Sequence, residues 1–230
     1  MPASDNLIRV ARALAPIREQ RFVFAGASIL PLLLDDPAAP PPRFTVDVDA
    51  AVNVLSYFEW DRLQSRLREC GLVVRGNPAV GKGRICLFHL DEIEVDIMPV
   101  RMESILRPSR MLELGFQFAE PYLLADDLEI LTLSAPGLLA AKLEAFADRG
   151  VRDPLMSKDL DDIVALLDRR LGIGDQVSAA PDEMRRFIAV ATGQLLGDGH
   201  LLDVISDLLR DRARERRAIE LMRSLTTMSS

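Results

Sequence analysis

The chain has 230 residues, of which 49% are hydrophobic, and it carries a formal net charge of −7. This length and apolar content suffice for a substantial core, whereas the acidic balance excludes a protein whose whole surface attracts nucleic acid. Two cysteines and two histidines offer neither a disulfide framework nor the spacing of a zinc site, so we expect any bound metal on oxygen ligands.

The first part of the chain alternates between helical and strand patterns. Apolar residues at helical spacing predict a helix from Ser4 to about Gln20, without the apolar run of a signal peptide. No stretch approaches the roughly 20 apolar residues of a membrane span, which predicts a cytoplasmic protein. The further predictions are a buried strand from Phe22 to Ala25, a turn at Gly26-Ala27-Ser28 into a short helix, a proline-rich loop from Asp35 to Pro42, an alternating strand from Phe44 to Val52, a helix from Tyr57 to Cys70, and strands at Leu72–Arg75, Arg84–Leu90 and Glu92–Met98.

After about Leu131 the pattern is helical throughout. The predicted helices are Ser134–Asp148, Ser157–Leu171, Asp182–Leu196 and a charged stretch from His200 to Leu225 that is broken once. The sequence therefore predicts a mixed α/β fold in two parts. An α/β domain over residues 1–131 is followed by a helical domain over residues 132–230, which we expect to close a functional cleft.

Three acidic residues are candidate metal ligands. Asp47 and Asp49 stand at positions i and i+2 of a predicted strand, so both side chains should leave one face, roughly 6.5–7 Å apart. Asp96 lies on another alternating strand, on the face opposite its apolar residues. Such a set could hold two Mg²⁺ ions for phosphoryl-type displacement. The ordinary alternative is an exposed edge strand with solvated acids.

The turn Gly26-Ala27-Ser28 is a candidate phosphate site, because a glycine turn at a helix N-terminus offers backbone N–H groups and a hydroxyl to an anion. The order of features is specific: strand, Gly-x-Ser turn, helix, Arg43, then Thr45-Val46-Asp47-Val48-Asp49. In this order the chain resembles the AbiEii-type nucleotidyltransferases, relatives of the MenT toxins in the DNA polymerase β-like superfamily. Ala27 is a departure, since the family usually has glycine there.

The resemblance extends into the helical part. Two stretches are similar to later motifs of that family: Lys142-Leu143-Glu144-Ala145 with Arg149, and Lys158-Asp159 with Asp162. The resemblance implies that Lys142 contacts the nucleotide triphosphate. It also implies that the nucleotide site includes Arg43, Arg149, Lys158, Asp159 and Asp162. Lys142 and Arg149 share one predicted helix face, whose alternative role is a solvated surface. Asp159, Asp162 and Lys158 are free to face outward, because their helix buries a separate apolar stripe. The alternative role of the two acids is to complement the helix dipole in the first turn, behind an N-cap at Ser157.

The resemblance implies a polymerase β-like core with two Mg²⁺ or Mn²⁺ ions at Asp47, Asp49 and Asp96. The implied reaction moves a nucleoside monophosphate from an NTP to a hydroxyl of RNA, such as the 3′ end of tRNA, or of a protein. The implied context is toxin–antitoxin function or phage defence, with an antitoxin as partner. Two alternatives remain: a degenerate domain that binds nucleotide or a partner without turnover, and a kinase-type phosphotransferase.

Two other features favour ordinary structural roles. Residues 76–82 match most of a P-loop, but Gly83 replaces the Mg²⁺-binding Ser or Thr and a strand pattern follows, which predicts a hairpin loop. The arginine-rich stretch from Asp207 to Arg223 could contact RNA. Its interleaved acids and lack of aromatic residues favour ion pairing instead.

Overall fold

The computed structural model describes residues 2–36, 42–43, 45–75, 86–101 and 109–229. Residue contacts divide the chain into two compact units. The first, here called the sheet unit, comprises Met1–Ile29, Phe44–Pro108 and Phe116–Leu133; the second, the helical unit, comprises Leu30–Arg43, Ser109–Gly115 and Ser134–Ser230. The P-loop-like stretch at 76–83 and most of the proline-rich loop lie outside the described residues.

The strands of the sheet unit form one mixed sheet. Within the described residues they are β1 (Phe22–Ala25), β2 (Val48–Val52), β3 (Leu87–Leu90), β4 (Ile93–Pro99), β5 (Glu120–Ala125) and β6 (Leu128–Thr132). Their order across the sheet is β3-β4-β2-β1-β6-β5. β2 runs parallel to β4 and β1 runs parallel to β6, whereas the β1–β2, β3–β4 and β5–β6 pairs are antiparallel. The predicted mixed α/β class is confirmed.

The helices account for most of the remaining described chain. They are α1 (Pro2–Leu14), α2 (Leu30–Leu33), α3 (Tyr57–Glu69), α4 (Arg110–Gln117), α5 (Ala135–Ala145), α6 (Lys158–Arg169), α7 (Ile173–Ser178), α8 (Asp182–Gly197), α9 (Gly199–Leu209) and α10 (Arg212–Thr226). In the described part of the chain no helix combines the length and apolar character needed to cross a bilayer.

Burial in the central strands follows the sequence pattern. All four residues of β1 are buried, as expected for a short apolar strand between two neighbours. β4 alternates as predicted, with Ile93, Val95 and Ile97 buried between more exposed residues. α1 packs its apolar residues near β2 and β6. The sheet core therefore forms around β1, β2 and β4, the strands that carry the candidate site.

The entry into β2 differs from the prediction. The strand begins at Val48 rather than at the predicted Phe44, and Val46 is 48% exposed. Asn6 of α1 donates a hydrogen bond from Nδ2 to the carbonyl oxygen of Val46, 3.1 Å away. The segment before β2 is therefore held by a side chain of α1, and its alternating pattern does not reflect strand pairing.

In the helical unit α5 packs against α6 and α8, and α10 packs against α6, α8 and α9. The charged C-terminal stretch breaks once, as predicted: Arg210 has φ +54 between α9 and α10. Residues 99–131 carried no predicted element, yet α4, β5 and β6 lie there. β5 is an edge strand with largely exposed side chains and a proline at Pro121, so it lacks the apolar alternation by which strands are recognised.

Candidate functional site

Strand register aligns two of the predicted acids. β2 lies between β1 and β4, and Asp49 is paired with Asp96 across the parallel β2–β4 ladder and with Ala25 across β1–β2. Residues paired directly across neighbouring strands lie about 5 Å apart and point to the same face. Both aspartates are half-buried. The sheet thus places two carboxylates from distant parts of the chain side by side, next to the end of β1.

The turn after β1 fits tightly against this pair. Gly26 has φ +66, a conformation that favours glycine. A Cβ atom at this position would lie 1.8 Å from Oδ2 of Asp49, so the carboxylate rests directly against the glycine α-carbon. Ala27 does not adopt the left-handed conformation and is only 7% exposed. The strict requirement for glycine therefore falls on position 26, not on the position where the chain departs from the family.

Ser28 lies inside the same turn. Its side chain is buried, and its hydroxyl donates a hydrogen bond to the carbonyl oxygen of Ala25, 3.1 Å away. This hydrogen bond stabilises the turn that places Gly26 against Asp49. Phosphate binding by Ser28 stays a prediction; while the hydroxyl proton is bound to Ala25, the Ser28 oxygen can act only as an acceptor.

Asp47 lies one residue before β2 and is not part of the strand ladder. Among the described residues, no group of three or more His, Cys, Asp and Glu side chains is close enough to hold one metal ion. The donor chemistry of the aspartates suits Mg²⁺, which prefers carboxylate oxygen. The aligned pair Asp49 and Asp96 fits that role, and Asp47 as the third ligand stays a prediction.

Cys86 lies beside Asp96 at the start of the β3–β4 hairpin, where its carbonyl oxygen accepts from the backbone N–H of Ile97 at 2.9 Å. Burial, together with the negative charge of Asp96, raises the pKa of this thiol to about 12. At neutral pH the side chain is therefore an uncharged thiol, which is a poor nucleophile and a poor metal ligand.

The predicted nucleotide-site residues of the helical unit form a connected set of ion pairs, here called the motif network: Arg43, Lys142, Arg149, Asp159 and Asp162. Lys142 Nζ lies 3.1 Å from Asp159 Oδ1 and 2.7 Å from Asp162 Oδ2. Arg43 binds Asp162 through two hydrogen bonds of 2.9 and 3.0 Å. Arg149 binds Asp159 in the same manner, at 2.8 and 3.1 Å. Lys142 thus bridges two carboxylates that each hold an arginine.

The prediction that Asp159 and Asp162 face outward is wrong. Their side chains are 6% and 1% exposed. Three cations surround them, and this pairing offsets the cost of removing two carboxylates from water. Burial raises the pKa of Asp159, but hydrogen bonds from Arg149 and the charge of Lys142 outweigh that effect and hold the pKa below its ordinary value.

Arg149 lies in a π-helical turn, which the sequence pattern did not predict, and from there it reaches Asp159. α5 continues as a π turn over Phe146–Gly150. A Cβ atom on Gly150 would lie 2.4 Å from Phe146 Cδ2 and 2.5 Å from Ser157 Oγ, so glycine permits the close approach to α6. Ser157 caps α6 as predicted, since its Oγ accepts from the backbone N–H of Leu160. Lys158, next along the chain, is exposed.

The arginine-rich tail makes a buried ion pair. Arg214 of α10 binds Asp168 of α6 through both carboxylate oxygens, with Nε 3.1 Å from Oδ1. The Asp168 side chain is 1% exposed, and Arg217 lies 3.7 Å from its Oδ1. At least this part of the tail therefore has a structural role.

The structure groups the predicted site residues separately within the two units. In the sheet unit it brings together Gly26, Asp49 and Asp96, with Ala27 and Ser28 in the adjoining turn and Asp47 just before β2. In the helical unit it brings together Arg43, Lys142, Arg149, Asp159 and Asp162, with Lys158 beside them in sequence.

Both the fold and the sequence resemble known proteins. A crystal structure of an antigenic nucleotidyltransferase-like protein from Paracoccidioides brasiliensis matches 91% of this chain and 97% of that chain, with a TM-score of 0.52 and 14% sequence identity. The fold is therefore similar to that of this nucleotidyltransferase-like protein. The family model described as nucleotidyl transferase AbiEii toxin, Type IV TA system, matches residues 10–226. The chain belongs to this AbiEii family, as its motifs predicted. No curated protein matches the chain.

Proposed function

We propose that this AbiEii-family nucleotidyltransferase is metal-dependent and moves a nucleoside monophosphate from an NTP to a hydroxyl group, releasing pyrophosphate. The acceptor is RNA, such as the 3′ end of tRNA, or a protein. The biological role is that of a toxin in a toxin–antitoxin or phage-defence system, with an antitoxin protein as counterpart. The toxin family to which the chain belongs supports this role.

The observation that carries the proposal is the alignment of Asp49 with Asp96, with Gly26 packed against Asp49. A solvated edge strand would not explain this arrangement, because β2 is internal to the sheet and a backbone turn closes over the carboxylate. Carboxylate oxygens are the ligands that Mg²⁺ prefers in proteins. Two carboxylates aligned on neighbouring strands therefore support a site for divalent cations.

Asp47, Asp49 and Asp96 would hold two Mg²⁺ or Mn²⁺ ions, which when bound lower the pKa of an attacking hydroxyl and neutralise charge on the pyrophosphate. The turn at Gly26 and Ala27 presents backbone N–H groups for a phosphate, with Ser28 supporting that turn through Ala25. Lys142, Arg43, Arg149 and Lys158 supply positive charge for the triphosphate. The Lys142 ammonium has three N–H donors, and Asp159 and Asp162 engage two of them.

Labelled nucleotides test this function directly. The protein is incubated with Mg²⁺, each NTP labelled at the α-phosphate, total RNA and cell protein, and parallel reactions carry the label at the γ-phosphate. The matched variants are Asp49→Asn and Glu94→Gln. Glu94 is an exposed acid on the same strand as Asp96, and it pairs in register with His89 rather than with Asp49.

Wild type and Glu94→Gln should place the α-label on RNA or protein, and Asp49→Asn should not. Transfer of the γ-label instead would identify a kinase-type phosphotransferase. Absence of either label above the Asp49→Asn background would contradict the proposal and leave a domain that binds without turnover.

A further inference from the structure

We infer that Asp162 is a positioning residue: it holds Arg43 and Lys142 in place for nucleotidyl transfer and does not itself contact the nucleotide. This inference rests on the proposed function. It also changes the role that the motif resemblance implies for Asp162, from a member of the nucleotide-binding surface to an internal support of that surface.

The contacts of Asp162 leave little of its carboxylate for a ligand. Oδ1 accepts from Arg43 Nε at 2.9 Å, and Oδ2 accepts from Arg43 Nη2 at 3.0 Å and lies 2.7 Å from Lys142 Nζ. The side chain is 1% exposed, compared with 24% for Arg43 and 12% for Lys142. The two cations therefore retain access to solvent, and the acid between them does not.

The two residues that Asp162 holds come from distant parts of the chain and carry different motif elements. Arg43 stands four residues before Asp47, at the start of the segment that leads into β2. Lys142 lies on α5. Asp162 itself lies in the second turn of α6, behind the Ser157 cap. One carboxylate thus joins Arg43, which stands two residues before Thr45 in the sequence, to the helix that carries the predicted triphosphate ligand.

The charges in the network support a positioning role. Lys142 alone would face the desolvation cost of an ammonium that is largely buried, and Asp159 and Asp162 offset that cost. A bidentate guanidinium–carboxylate pair also fixes orientation, because two parallel hydrogen bonds prevent rotation. Asp162 combines both effects: it pairs with the Lys142 ammonium, and it fixes the direction of Arg43.

Asp168 provides a matched control for Asp162. Both aspartates lie on α6, both side chains are 1% exposed, and both bind an arginine through two hydrogen bonds. Only Asp162 contacts residues of the family motifs. Asp162→Asn and Asp168→Asn should therefore lower thermal stability to a similar extent, and only Asp162→Asn should disturb nucleotide transfer.

The experiment compares wild type, Asp162→Asn and Asp168→Asn by three measurements. These are hydrogen exchange of the backbone over residues 45–52, affinity for an NTP in Mg²⁺, and the rate of label transfer at saturating NTP. Asp162→Asn should speed exchange over residues 45–52 and reduce the transfer rate roughly 10- to 100-fold, the scale expected when reacting groups are misplaced by about 1 Å. Its NTP affinity should be unchanged or tighter, since a negative charge is removed.

Equal loss of transfer in Asp168→Asn would overturn the inference, because the effect would then be one of general stability. Weaker NTP binding by Asp162→Asn at an unchanged saturated rate would instead assign Asp162 to direct nucleotide contact. If Asp162→Asn does not fold, Arg43→Lys keeps the charge but removes the bidentate pair, and the same faster exchange is expected. Wild-type protein that transfers no label defeats the proposed function, whereas the exchange comparison still decides the positioning role.

Discussion

At the scale of single residues, Gly26 and Asp49 depend on each other. The absence of a side chain at Gly26 leaves the space that the Asp49 carboxylate occupies, and the left-handed backbone at Gly26 brings the turn over the strand. Neither constraint is visible from a Gly-x-Ser pattern alone. Together they make Gly26 a structural requirement of the carboxylate pair.

Gly26→Ala should therefore remove activity as well as stability. The left-handed conformation costs an alanine roughly 1–2 kcal/mol, and the added Cβ must also displace Asp49 Oδ2. Gly172→Ala is the matched control, since Gly172 has φ +72 but a Cβ there meets no atom within 4 Å. Chemical denaturation and label transfer measure both effects. If the two variants lost stability equally and both kept full transfer, the collision at Asp49 would be irrelevant.

At the scale of elements, α6 carries three buried aspartates that form ion pairs with other parts of the helical unit. Asp159 and Asp162 bind the cations of the motif network, and Asp168 binds Arg214 of α10. Asp161, between the first two, has its pKa raised by burial and by the charge of Asp162. Neighbouring acids of one helix turn thus have pKa shifts of opposite direction.

These directions predict different pH dependence for two variants. The pKa of Asp159 is lowered by folding, so its contribution to stability is present above its ordinary pKa of 3.8 and is lost as pH falls through the lowered value. Asp159→Asn should therefore be less stable than wild type at neutral pH and lose less stability in acid. Asp161→Asn should be no less stable than wild type at neutral pH, because a raised pKa means that the charged form is disfavoured there.

Denaturant unfolding measured between pH 3 and pH 8 checks both expectations. Wild type serves as the reference curve; near neutrality Asp159→Asn should fall below it, and Asp161→Asn should not. Parallel curves for wild type and Asp159→Asn across the acid range would mean that Asp159 contributes nothing to acid unfolding.

The C-terminal helix gives a second prediction at this scale. Arg214→Ala should lower the free energy of unfolding by roughly 3 kcal/mol, because it removes the main partner of the buried Asp168 carboxylate. Arg216→Ala, on an exposed position of the same helix, should have almost no effect. Equal stability of the two single variants would contradict the structural role of Arg214.

A triple variant of the tail, Arg212→Ala with Arg216→Ala and Arg223→Ala, tests for RNA contact without disturbing the fold, because all three positions are exposed. The measurement is RNA retention by this variant compared with wild type.

At the scale of the whole molecule, nucleotide binding should stabilise the folded chain. A ligand that binds only the native state at 100 times its Kd adds about 2.7 kcal/mol to the free energy of unfolding. Mg²⁺ with the preferred NTP should thus raise the melting temperature of wild type, and a chelator should remove most of that increase. Asp49→Asn should respond far less to the same mixture. An identical response in the variant would mean that Asp49 takes no part in binding.

Several features of fold and site were predictable from local patterns. Central strands, the main helices and the Ser157 cap follow from apolar periodicity and capping residues within short windows. The family motifs were recognisable because their spacing is local within each stretch. β5 was missed, because its largely exposed side chains show no apolar alternation. The start of β2 was mispredicted, because side-chain alternation alone does not tell whether a strand has a neighbour.

The amino-acid sequence by itself determined the class of the fold, the order of the motifs and the AbiEii family to which the chain belongs. Tertiary structure alone decided which of the motif residues meet. The register of β2 against β4 aligned Asp49 with Asp96, and the packing of α5 against α6 turned Asp159 and Asp162 inward onto Lys142. The physical reason is that periodicity sets the face on which a side chain lies, whereas its partner depends on long-range pairing and on charges that only the folded chain brings together.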